Sequence, residues 1–178
     1  MKYAIGRILA VGTLLLVAAC ARRPDVRPAP VVTPAVVAAP VMLGAAAYVA
    51  TASSIDLFEM QSAELALQRA RDPANRAFAE RVLNAHRGTS AQLSFAGRRL
   101  NLLPSSSLNA EHQAMLAALS AASDFDSLYR AQQRLVIEQG VRLHSGFARS
   151  GDSPTLRPIA ENAENVMRAN LQALRASR

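Results

Sequence analysis

Few residues of this 178-residue chain could do chemistry. One is a single thiol, Cys20. The others are polar side chains at positions where helical spacing calls for apolar ones: His86, His144 and Asn170, with Glu59, Glu64 and Glu138 near the same faces. Carboxylates and imidazoles on facing helices can converge on a di-iron or di-manganese centre, usually through Glu-x-x-His on two of the helices. That spacing is absent here, because Leu83 stands three residues before His86 and Val141 three before His144. Glu138 and His144 are six apart, about 120° around a helix of 3.6 residues per turn, so they cannot share a ligand as i and i+3 can. Two readings follow. One is a degenerate iron or manganese site of Glu59, Glu64, His86, Glu138 and His144. The other, preferred, is a hydrogen-bonded interior network that includes Asn170 and needs no cofactor. No catalytic residue stands out. The run Ser105-Ser106-Ser107 lacks the strand–turn–helix context of a nucleophile elbow, and there is no glycine-rich phosphate loop.

The thiol has a different setting. Lys2 and Arg7 precede the largely apolar stretch Ile8 to Val17, which is too short to span a bilayer at roughly 20 residues per helix. That is the pattern of a secretory signal. It ends in Val17-Ala18-Ala19-Cys20, which resembles a bacterial lipobox. The expected product is a lipoprotein: residues 1–19 removed, Cys20 carrying the acyl chains, and Ala21 at the second mature position. By resemblance to enterobacterial lipoproteins, the absence of Asp there implies the outer membrane, facing the periplasm. A thiol consumed by lipid is not available for catalysis, and with no second Cys the chain has no disulfide framework.

Residues 20–44 are expected to be a linker. Pro24, Pro28, Pro30, Pro34 and Pro40 are interleaved with Val and Ala. Proline lacks an amide donor and biases the preceding residue to extended conformations, so the segment reads as a polyproline-like spacer. At about 3.1 Å per residue it could hold a folded body ~70 Å from the lipid.

From residue 45 to 178 the elements that must position the polar residues are helices. Ala, Leu, Gln, Glu and Arg dominate, and no strand alternation occurs. Asp72-Pro73, Leu103-Pro104, Ser123-Asp124 and Gly151-Asp152-Ser153-Pro154 punctuate the chain. The spacing predicts five helices over about 46–71, 74–100, 109–121, 124–150 and 154–176, the last starting late or kinking at Pro158. Apolar stripes run through Ile55, Phe58 and Leu65, through Phe78, Val82 and Leu93, through Tyr129, Val136 and Phe147, and through Leu156, Ile159 and Val166. Short connections between long helices favour antiparallel neighbours, hence an all-α, up-and-down four-helix bundle with one extra short helix.

The formal net charge is +7, from 20 basic and 13 acidic residues. In the helical part, 15 Arg face 12 acids along the helix faces. This excess is too dispersed for a nucleic-acid groove, and export argues further against one.

From about Ala47 to Leu174 the chain resembles the exported bacterial family called domain of unknown function 4142. The matching stretches include Tyr48-Val49-Ala50, Asp56-Leu57-Phe58-Glu59, Asp72-Pro73, Arg76-Ala77-Phe78-Ala79-Glu80-Arg81-Val82 with His86, Leu103-Pro104, Glu111-His112-Gln113, Phe125-Asp126, Tyr129 and Ser150-Gly151-Asp152. The resemblance implies a ferritin-like fold and no assigned reaction. This chain departs from the family in having Ala85 before His86, Ile137 where a His recurs, and Asn170 in the last helix. Two of three recurrent His positions are thus replaced, which implies that any family metal is not bound here in the same way. The sequence therefore favours a lipid-anchored envelope protein of non-catalytic role (structural, interaction or stress tolerance) with an unknown protein partner. A metal or redox protein is the alternative. A binder of small apolar ligands between Ala-lined helices ranks third.

Overall fold

The computed structural model describes residues 44–177. The leader, Cys20 and almost all of the linker lie outside the described residues. Five helices follow one another: α1 (Ala45–Arg69), α2 (Pro73–Arg99), α3 (Ala110–Ala121), α4 (Phe125–Ser150) and α5 (Arg157–Ala176). No strand occurs among the described residues.

The helix starts follow local chemistry. Asp72 caps α2, its carboxylate accepting from the Ala74 amide at 2.8 Å, with Pro73 in the first turn. Asn109 caps α3 by accepting from the His112 amide at 2.8 Å. Asp124 caps α4 by accepting from the Ser127 amide at 3.3 Å. Helix α5 begins late, after a turn at Pro154–Leu156, with Pro158 in its first turn. Gly151 ends α4, but not by adopting a left-handed conformation: its φ is −64°. It is small because a Cβ would meet the Phe147 ring at 2.6 Å.

Helix α1 packs on α2, α3 and α4, and α5 closes the bundle against α2 and α4. Each pair of neighbouring long helices is antiparallel. The Tyr48 and Phe147 rings stack near one end of the α1–α4 pair, and Gln133 bonds to Ser62 further along it. Arg81 meets Asn170, and Gln92 meets Asn162, across α2 and α5. Helices α2 and α4 are therefore parallel and diagonal. The chain between them makes one long crossover carrying α3, the arrangement of ferritin-like bundles. Arg69 anchors that crossover by donating to the carbonyls of Leu119 (3.2 Å), Ser120 and Ala122 (2.8 Å) at the end of α3.

The core has two apolar clusters. One joins Phe58, Phe78, Tyr129, Ile137 and Met167. The other joins Tyr48, Val49, Leu93, Phe147 and Leu156.

Candidate functional site

Polar side chains interrupt that core. Helix α1 supplies Asp56 and Glu59, one turn apart on one face, and both are buried. Helix α2 supplies His86 and Thr89, again three apart. Helix α4 supplies Tyr129, Gln133 and His144, and α5 supplies Asn170; all are buried.

Asp56 organises the α1–α2 side. One of its oxygens, Oδ1, lies 2.7 Å from His86 Nδ1 and accepts from the Thr89 hydroxyl at 2.9 Å. With Nδ1–H given to Asp56, the His86 Nε2 is left facing the interior without a hydrogen-bond partner. His144 has a parallel arrangement. Its Nδ1 lies 3.0 Å from the Tyr48 hydroxyl, and its Nε2 is buried without a partner. Glu59 is fully buried, and neither carboxylate oxygen has a hydrogen-bond partner among the described residues. The neighbouring Gln133 amide donates instead to Ser62, at 3.0 Å. The Tyr129 hydroxyl is also buried and unpartnered.

The electrostatics follow from burial and from these neighbours. Desolvation pushes the Glu59 carboxyl up to about 7, against the lowering pull of His86 and Gln133. Desolvation brings His144 down to about 4, so its imidazole is neutral at neutral pH. Burial opposes charge on His86 too, but the hydrogen bond and charge of Asp56, together with Glu59, hold it above its ordinary value. Tyr129 is raised by burial and by the Glu59 charge, and Tyr48 by burial and by Asp56. These groups sense one another's charge and form one coupled interior.

Of the residues singled out from sequence, Glu59, His86 and His144 belong to this interior. Glu64 and Glu138 do not. Glu64 is exposed and lines the surface groove between α1 and α3 with Gln61 and Leu116. The Glu138 carboxylate is 39 % exposed and lies 4.0 Å from Arg175. Asn170 is interior: its Oδ1 accepts from Arg81 Nε at 3.2 Å, and its Nδ2 is unpartnered. Among the interior groups that were missed, besides Thr89 and Gln133, are Asp56 and His112. Asp56 was visible as the i−3 neighbour of Glu59. His112 is buried against Phe58, where its Nδ1 lies at hydrogen-bond distance, 2.7 Å, from the Ser54 hydroxyl, which also accepts from the Asn109 amide at 2.9 Å. Satisfied in this way, His112 ties α3 to α1.

Among the described residues no three His, Cys, Asp or Glu side chains form a ready-made metal cage. What does match metal chemistry is the state of the two imidazoles. A metal-binding His has one ring nitrogen fixed by a hydrogen bond and the other free, as His86 and His144 do.

The fold and interior define an all-α bundle of the ferritin-like kind whose core holds paired carboxylate and imidazole groups. The chain belongs to the family described as domain of unknown function (DUF4142), whose model matches residues 32–176. Solved structures that share the fold include two of one protein. CopM in the Cu(II)-bound form is 16 % identical, with a TM-score of 0.64 over 76 % of this chain and 95 % of that one. CopM in the Cu(I)-bound form is 15 % identical, with a TM-score of 0.62 over 74 % of this chain and 92 % of that one. No curated protein sequence matches the chain.

Proposed function

We propose that this protein is a non-catalytic, membrane-tethered envelope protein whose interior takes up a single transition-metal ion as cargo, copper first among the candidates. The observation that carries the reading is the matched pair of buried imidazoles, each fixed at Nδ1 and each without a partner at Nε2 among the described residues. Imidazole nitrogen suits copper. Glu59 would balance charge, and a carboxyl held near neutrality can give up its proton as a cation enters. The copper-bound structures with this fold lend support to copper over the iron or manganese expected from ferritin-like bundles. The Cys20 anchor, the outer-membrane location and the periplasmic orientation belong to this proposal.

A second reading rests on the missing cage: an interior network whose free atoms are met by buried water, with no ion at all. Titration of untagged, metal-free protein with Cu(I) and with Cu(II) separates the two. The expected result is one equivalent bound to the wild type, with at least a tenfold loss of affinity in His86→Ala and again in His144→Ala. Absence of binding, or binding unchanged in both variants, would leave the water-filled network.

A further inference from the structure

We infer that the end of the bundle at which the chain enters is a docking face for an anionic lipid surface. Four exposed arginines stand there: Arg98 and Arg99 in the last turn of α2, Arg149 in the last turn of α4, and Arg157 at the start of α5. Among the described residues none of the four makes an ion pair or a side-chain hydrogen bond within the limits of a normal contact. One acid, Asp152, lies at this end, beside Gly44. Glu161 follows one turn into α5.

The opposite end is built differently, although it too is rich in arginine. There Arg69 caps α3, Arg76 donates to the Ala70 carbonyl at 2.6 Å, and Arg130 donates to the Leu174 carbonyl at 2.8 Å. Asp72, Asp124 and Asp126 stand among them. At that end most of the arginines, Arg71 excepted, are engaged within the fold, and at the Gly44 end none of the four is.

The helix dipole accounts for only part of the free charge. Arg98, Arg99 and Arg149 sit at helix C-termini, where a cation is favoured. Arg157 sits at a helix N-terminus, where the dipole opposes it, so its placement works against local stability. Two large apolar side chains add to the face. Phe95 is 60 % exposed, with the Arg99 guanidinium 6.0 Å from its ring centre, and Leu103 is 74 % exposed. Arginine beside exposed aromatic and aliphatic groups matches an anionic headgroup layer over acyl chains.

A lipid surface is favoured over a protein partner because of what precedes Gly44. The expected removal of residues 1–19 leaves Cys20 to Leu43 before it, with the thiol expected to carry the acyl chains and Arg22, Arg23 and Arg27 beside it. A body tied to a membrane through Cys20, as the proposed function has it, meets that membrane at high effective concentration, so a weak face suffices.

The test uses the mature chain, lipidated at Cys20 and reconstituted in vesicles of phosphatidylcholine alone or with one-third phosphatidylglycerol, read by amide hydrogen exchange. The loops at residues 100–108 and 151–156 should exchange several-fold more slowly on the anionic vesicles. The loops at 70–72 and 122–124 should not change. The protection should vanish in 0.5 M salt and in the quadruple Arg98, Arg99, Arg149 and Arg157→Gln variant, whose exposed positions leave the core untouched. Equal exchange on both vesicles, protection at the opposite end, or protection that survives in the quadruple variant would overturn the inference. None of these outcomes depends on whether the interior binds metal.

Discussion

Glu59 is the residue whose surroundings most directly set a measurable property. In the unfolded chain its carboxyl titrates near its ordinary value of 4.5, and in the folded bundle near 7. Between those values the native state holds a proton that the unfolded state has lost, so this group makes stability fall as pH rises from about 4.5 to 7. His144 acts the other way. Its neutral folded form makes stability rise between about 4 and 6.5, which masks the Glu59 effect in the wild type over much of that range. His86, raised above its ordinary value, contributes stability below its unfolded pKa that is lost as pH rises through the folded one. A Glu59→Gln substitution isolates the first effect. In metal-free protein, denaturant unfolding should show Glu59→Gln gaining up to about 3 kcal/mol on wild type at pH 8, with little gain at pH 4.5. A difference that does not change with pH would contradict the burial argument. Glu59, His86, His144 and Asn170 were legible in the sequence because each interrupts or borders an apolar stripe. Glu64 and Glu138 border stripes too, yet they point outward, since adjacency along a helix says nothing about which side of the stripe faces a neighbour.

At the scale of the helix, the sequence was clearest where punctuation was chemical. Asp72-Pro73, Asn109 and Asp124 start helices where their side chains predict. Helix α1 was harder to read, because three helices surround it and its buried residues, Ser53 to Asp56 with Phe58 and Glu59, spread around most of its circumference. A helix buried on several sides loses the one-sided pattern that identifies a core face, and that is why Asp56 was missed. Helix packing also leaves a mark at two glycines. At Gly97 a Cβ would run into the Leu102 carbonyl, where the chain turns back after α2 and Asn101 takes a φ of 55°. At Gly140 a Cβ would lie 2.6 Å from Met167 Cε and 3.0 Å from its sulfur. The first obstacle is backbone and the second a flexible side chain, so they should respond differently. Gly140→Ala should cost about 1 kcal/mol or less, since the end of Met167 can move and alanine is the better helix former. Much of that should return when Met167→Val is added, because the double substitution restores the space. Urea unfolding of the single and double variants checks this, and additive losses would show that Met167 is not the obstacle.

For the whole molecule, the antiparallel bundle was readable from helix lengths and short connections, while the crossover was not. Its cause is a set of long-range ties: Arg69 to the end of α3, and Ser54 to His112 and Asn109. Such contacts have no local signature. The division of labour between the two ends was equally hidden, since composition counts arginines without saying which ones are engaged. One further property follows from where the phenols sit. The chain has three tyrosines and no tryptophan, and Tyr3 lies in the leader expected to be removed. Tyr48 and Tyr129 are both fully enclosed, one bonded to His144 and the other within reach of the Glu59 charge. The body of the protein thus carries a native ultraviolet reporter, with no indole to mask it and both emitters beside the polar interior, so the protonation or occupancy of that interior can be followed without attaching a dye.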